Sequence, residues 1–246
     1  MIQQFKDWLA SWRFVFEGVP ALGWQAFAMF NLGFCLLGAV VLAEGKTTNS
    51  LDQKVSRLAL EHPAGRGPYA AWLTKFGDGA YTEKLCLASA ALVLLARRAY
   101  YVPALYFGVY GSLRVNGWLK GWFGHPRPEF PDWESIGGLG FPSGHSSAAA
   151  TIYGFWILFV LTEIRSKGLK WGTIALLATV ILIVGVTRIT LMAHWLTDVL
   201  GGLCFGFAWV MAWFWVSRKL AGDLIRRETE FEFRGLSEKA ATPGGK

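Results

Sequence analysis

PSGHSSAAATIYGFWILFVL, residues 142–161, sets Pro142-Ser143-Gly144-His145 directly against an apolar run from Ser146 to Leu161. The junction predicts the start of a buried helix. The first N–H groups of a helix have no intrahelical partners and carry the positive end of its dipole, so an anion is favoured beside them. Gly144 permits close approach of an anionic oxygen to the backbone, Ser143 offers a hydroxyl donor, and His145 is placed to give a proton to a leaving oxygen. Taken alone, the same four residues also make an ordinary capping turn.

Two further patterns flank this stretch. Upstream stands Lys120, six residues, then Arg127-Pro128; downstream stands Thr187-Arg188, five residues, His194, three residues, Asp198. His194 and Asp198 are four apart, so on a helix they share a face. There the carboxylate can accept a hydrogen bond from one ring nitrogen, fix the tautomer and leave the other nitrogen as a nucleophile. The alternative is a pair that only caps or neutralises the start of the next span. Arg188 would present its planar fork of donors to phosphate oxygens. Lys120 and Arg127 add two cations, and Pro126 and Pro128 keep that stretch from being one uninterrupted helix. Standing alone, both would read as flanking charge at a membrane boundary. The chain has four histidines, and His125, His145 and His194 lie within or beside the patterns, with only His62 elsewhere. Ionisable groups bordering apolar spans are expensive, and their gathering points to function.

With 53% hydrophobic residues, thirteen Trp, eighteen Phe and 17% charged residues in 246, the chain is too apolar for an ordinary soluble domain. Its formal charge of +7 is spread between apolar blocks and the tail and forms no continuous basic stripe, which argues against a nucleic-acid partner. Cys35, Cys86 and Cys204 fall in apolar stretches without zinc or redox spacing, so buried free thiols are expected.

A bilayer core of about 30 Å needs roughly 20 apolar residues per helix. Six candidates follow, at about 20–43, 79–96, 99–119, 145–162, 171–191 and 195–216. The second is short in uncharged residues and must extend back through Lys84 and Glu83, whose charges snorkel. The first is longer than a signal-peptide core and reads as a retained span. The fold class is therefore all-α, a polytopic membrane bundle of six transmembrane helices. An amphipathic interfacial helix is expected over 1–19, the six-span domain over 20–216, and a cytoplasmic tail over 217–246 made of a juxtamembrane helix followed by disorder. With the amino terminus inside, Arg97, Arg98, Arg165, Lys167, Lys170, Arg218 and Lys219 are cytoplasmic, as the positive-inside rule asks, although Lys46, Lys54, Arg57, Arg66 and Lys75 then lie outside. The three patterns share the extracytoplasmic face.

Together and in this order the patterns resemble the type 2 phosphatidic acid phosphatase (PAP2) superfamily, over about residues 70–216. The family usually has Ser where this chain has Thr187; the hydroxyl is kept. The resemblance implies that Lys120, Arg127, Ser143, Gly144 and Arg188 bind phosphate, that His145 is the general acid, and that His194 is the nucleophile with Asp198 as its orienting partner. It implies a phosphohistidine route with no metal and no cofactor, and a bell-shaped pH profile. The expected partners are the bilayer and a membrane lipid phosphate: polyprenyl diphosphate, phosphatidic acid and phosphatidylglycerophosphate all fit, in a bacterial inner membrane. Transfer of the phosphoryl group to another lipid, the vanadium haloperoxidase chemistry of soluble members, and lipid or anion transport are the competing readings.

Overall fold

A computed structural model describes residues 21–45, 48–62, 67–129 and 138–241. The expected interfacial helix over 1–19, residues 130–137 of the loop between the first two patterns, and residues 242–246 lie outside them. Among the described residues the structure is helical throughout, with a single isolated bridge, Pro126 to Leu139. The elements are α1 (Ala21–Glu44), α2 (Ser50–Glu61), α3 (Pro68–Leu73), α4 (Gly79–Leu95), α5 (Val102–Phe123), α6 (Gly144–Glu163), α7 (Lys167–Thr190) and α8 (Leu196–Ala241). Short 3-10 turns at Thr74–Gly77 and Ala99–Tyr101 precede α4 and α5.

The six long helices fall on the six predicted ranges. Four of them, in α1, α6, α7 and α8, are long and apolar enough to cross a membrane. Helix α4 has 17 residues, and α5 carries Arg114 and Lys120. Helix α4 starts at the expected residue, while α5 and α8 run past their expected ends. Helix α4 begins where Asp78 caps it, its side chain accepting from the N–H groups of Ala80 and Tyr81. Helix α5 runs past residue 119 and stops at Gly124, whose φ of +63° is the left-handed geometry glycine tolerates, before the prolines act. Helix α8 continues the last span without a break to Ala241.

Helix α6 is the axis of the bundle and packs against α4, α5, α7 and α8. Its buried start, Ser146 to Ile152, is mostly small residues, which lets α8 lie against it. A Cβ on Gly202 would sit 2.5 Å from the Ser143 carbonyl oxygen, and one on Gly206 would sit 2.5 Å from that of Ser147. The small-xxx-small pair is therefore the seam that sets α8 beside the Pro-Ser-Gly-His motif.

The outer helices keep large apolar side chains exposed, Leu32 and Leu36 on α1 and Leu176 and Leu182 on α7 among them, as a lipid-facing surface does. Only a narrow face of α1 meets the bundle, through the stacked pairs Phe30–Phe207 and Phe34–Phe141. Hence Cys35 is exposed rather than buried; Cys86 is buried, and all three cysteines are free.

At the end of α6 away from its capped start, about 30 Å along at 1.5 Å per residue, Glu163 gathers three elements. It meets Arg98 at 3.0 Å and Arg218 at 3.1 Å and accepts a hydrogen bond from Tyr101 at 2.9 Å. The stretch between the first and second spans, left without elements by the sequence, holds α2 and α3. Both pack on α7, and α2 also meets the start of α8.

Candidate active site

Asp198 is the hub. It lies fully buried in the first turn of α8, while His194 stands in the turn just before that helix rather than on it. The four-residue spacing still brings them together: His194 Nδ1 donates to Asp198 Oδ2 at 3.2 Å. The same oxygen accepts the backbone N–H of Trp195 at 3.1 Å, the reach-back bond of a capping box. Capping and orienting, which the sequence left as alternatives, are both performed by one carboxylate. With Nδ1 committed as donor, Nε2 of His194 is the ring's free basic atom. Burial holds the His194 pKa down at about 4, against the opposing pull of the Asp198 hydrogen bond, so the ring is neutral at neutral pH.

The second pattern is bonded to this hub. The Ser143 N–H donates to the Asp198 carbonyl at 2.9 Å. Ser143 caps α6, its Oγ accepting from Ser146 N–H at 3.4 Å and from Ser146 Oγ at 3.1 Å, which leaves the Ser143 hydroxyl proton to donate elsewhere. At Gly144 the nearest protein atom to an added Cβ is Asn116 Oδ1 at 3.5 Å, an ordinary separation. The surrounding protein does not demand glycine there. His145 is half-buried, and Arg188, Arg127 and His194 are near enough to act on it electrostatically.

The cations frame the hub. Lys120, in the last turn of α5, donates through Nζ to the carbonyls of Leu139 at 2.9 Å and Gly140 at 2.7 Å, and Arg127 Nε donates to Leu139 at 3.3 Å. Both tie down the strap leading to Pro142. Lys120 retains a third N–H and Arg127 its other guanidinium donors. Partial burial draws the Arg127 pKa down, with the Asp198 charge opposing. Arg188, at the end of α7, is 8% exposed and donates through Nη1 to Thr74 Oγ1 at 3.0 Å. Its Nε is buried without a partner among the described residues, a donor aligned with the need of an anion. The Arg188 carbonyl accepts from Ala193 and His194 N–H, which fixes the turn that presents His194.

Four participants went unassigned in the sequence. His125 donates through Nδ1 to Asp198 Oδ1 at 2.9 Å across 73 residues. Asn116 donates to the Pro142 carbonyl and to Ser147 Oγ, and Thr74 holds Arg188. Asp52 of α2, fully buried, accepts from Thr197 N–H at 2.9 Å and Thr197 Oγ1 at 2.6 Å, capping α8 beside Asp198. A polar Asn one turn before Lys120 in an apolar span, and a spare histidine inside the first pattern, were the readable signals.

Three cations, a helix start and a carboxylate-held histidine are thus gathered at one end of a helical bundle, four of whose helices are long and apolar enough to cross a membrane, the arrangement expected of a membrane protein that handles an anion. The chain matches the PAP2 superfamily family model over residues 100–221. It is 31% identical over 227 residues to the lipid A 1-phosphatase of Rhizobium johnstonii (strain DSM 114642 / LMG 32736 / 3841), with 82% of each chain covered. It is 28% identical over 178 residues to phosphatidylglycerophosphatase B of Bacillus subtilis (strain 168), covering 71% of this chain and 86% of that one. The crystal structure of a transmembrane PAP2 type phosphatidylglycerolphosphate phosphatase from Bacillus subtilis superposes with a TM-score of 0.65 at 22% identity, covering 80% of this chain and 96% of that one, which shows the fold. The protein belongs to the PAP2 superfamily, and these relatives are lipid phosphatases.

Proposed function

We propose that this protein is a metal-independent phosphatase that hydrolyses the phosphomonoester or diphosphate of a membrane lipid through a phosphohistidine on His194. The buried His194–Asp198 pair carries the reading, because it leaves a neutral imidazole with a free Nε2 inside a ring of cations. In the first step Nε2 bonds to phosphorus, the bond from phosphorus to the lipid-side oxygen breaks, and His145 gives that oxygen its proton. In the second, water attacks phosphorus, its proton passes to His145, and the P–N bond breaks to release phosphate. Arg188, the remaining donors of Lys120 and Arg127, the Ser143 hydroxyl and the start of α6 around Gly144 offset the charge on the phosphoryl oxygens.

An apolar cleft of about 500 Å³ between α1, α5 and α8 supports a lipid substrate. Phe34, Leu119, Phe205, Trp209 and Trp213 line it, and Leu119 is the neighbour of Lys120. The name of one relative adds lipid A 1-phosphate to phosphatidylglycerophosphate, phosphatidic acid and undecaprenyl diphosphate as substrates to test. In the topology proposed, all six long helices span an inner membrane, the Glu163 cluster with Arg98 and Arg218 faces the cytoplasm, and the site faces outward.

Phosphate release from these four lipids by detergent-purified protein with excess chelator tests the reading. Chelator-resistant release, and a phosphorylated protein trapped from wild type but absent from His194→Ala, are expected. An intermediate that survives His194→Ala overturns the nucleophile. Label that passes from one lipid to another instead of to water makes the protein a phosphotransferase.

A further inference from the structure

We propose that His125 is a positioning residue which, through its hydrogen bond to Asp198 Oδ1, fixes the carboxylate that aims His194. The proposal rests on the reading of His194 as nucleophile. Three observations carry it. First, the two oxygens of Asp198 are divided: Oδ2 takes His194 and the Trp195 N–H, while Oδ1 takes His125 at 2.9 Å. Without His125 the plane of the carboxylate has no anchor on its second side, and a buried oxygen loses its donor.

Second, the segment holding His125 is pinned independently of that bond. The His125 carbonyl accepts from Gly140 N–H at 2.7 Å, the Pro126 carbonyl accepts from the Trp195 indole at 2.9 Å, and Gly124 makes the left-handed exit from α5. The ring is therefore delivered to Asp198 by a fixed backbone. Third, the ring is fully buried and its Nε2 has no partner among the described residues. A side chain kept only for packing would be filled better by an apolar ring, which leaves no polar atom unmet. The polarity of His125 is directed at Asp198 alone.

The electrostatic consequence has a definite sign. Asp198 and His194 are faced by His125 from the loop after α5, Lys120 from α5, Arg127 from the same loop, Arg188 from α7 and His145 from α6. Among these, His125 is the one that bonds the second oxygen of the carboxylate. Removing its N–H concentrates the carboxylate charge on the bond to His194. The imidazolium form of His194 gains, and its titration midpoint rises.

Two substitutions separate positioning from packing. His125→Phe keeps a ring of similar bulk and removes the donor; His125→Asn gives up the ring and keeps an N–H near the place of Nδ1. His125→Phe should lower kcat roughly tenfold to hundredfold with KM within about threefold, the scale on which outer partners of a functional histidine act. His125→Asn should stay within about threefold of wild type. Histidine-selective isotope labelling resolves a chain with only four histidines, so NMR titration in micelles reads His194 directly. Its midpoint should rise in His125→Phe and hold in His125→Asn. Folded His125→Phe with wild-type kcat and an unmoved midpoint overturns the proposal, as does the reverse order, an active Phe variant and an inactive Asn variant. If wild-type protein releases phosphate from no lipid, the phosphatase reading fails, and the titration alone still decides whether His125 acts on His194.

Discussion

At the scale of single residues, the acid side of the pH profile follows from burial. A histidine whose pKa is held near 4 stays unprotonated, and able to attack, down to that pH; below it the ring is charged and the nucleophile is lost. The expected kcat/KM profile therefore keeps its activity between pH 6.5 and 5 and falls as pH drops through about 4. A fall centred at the ordinary histidine value, read from kcat/KM against pH, would show that the site is wetter than the structure has it. The eight candidate site residues could be picked out because each sits in a short pattern at the mouth of an expected span, and local spacing survives folding. His125, Thr74 and Asp52 were not, since their partners are 73, 114 and 145 residues away. No periodicity in a sequence encodes those distances.

At the scale of elements, α2 earns its place through Asp52. Its carboxylate holds the Thr197 N–H and hydroxyl and is itself bonded by Asn49 Nδ2 at 2.8 Å. Asp52→Ala leaves two buried donors of α8 unmet, at about 1–3 kcal/mol for such a loss. A lower thermal midpoint together with a fall in kcat is expected, because the loosened turn also carries Asp198. Full activity in that variant, measured beside its melting curve, would mean that α2 only covers the bundle. The long helices were legible from hydropathy over membrane-length windows. Helix α2 was not: its sequence, SLDQKVSRLALE, is polar on balance, and its place is set by one buried carboxylate rather than by an apolar stripe. The end of α5 moved for a similar reason, because a glycine two residues before Pro126 stopped the helix first.

At the scale of the whole molecule, the two ends are separable. Glu163 of α6 joins the turn between α4 and α5 to α8 at the end away from the site, with its arginine partners 48% and 36% exposed. That exposure screens the ion pairs, so Glu163→Gln should lower stability by only about 1 kcal/mol. It should leave kcat unchanged, since the site hangs from the α6–α8 glycine seam and not from this cluster. A loss of kcat without a loss of stability in that variant, by melting and turnover assays on the same preparation, would reveal a coupling along α6. The order of the long helices was legible as alternating apolar and charged blocks. Which faces meet was not, because small residues such as Gly202 and Gly206 signal close approach without naming the partner backbone.

The cleft between α1, α5 and α8 changes what concentration means for this protein. If the protein is the lipid phosphatase proposed above, a tail seated there would arrive by lateral diffusion in two dimensions, with its head group at the level of Lys120, the neighbour of the lining residue Leu119, and would leave the same way after dephosphorylation. The relevant quantity is then the mole fraction of phosphorylated lipid in the leaflet. Micelles of inert detergent act as a diluent of substrate even when the number of molecules per litre is unchanged.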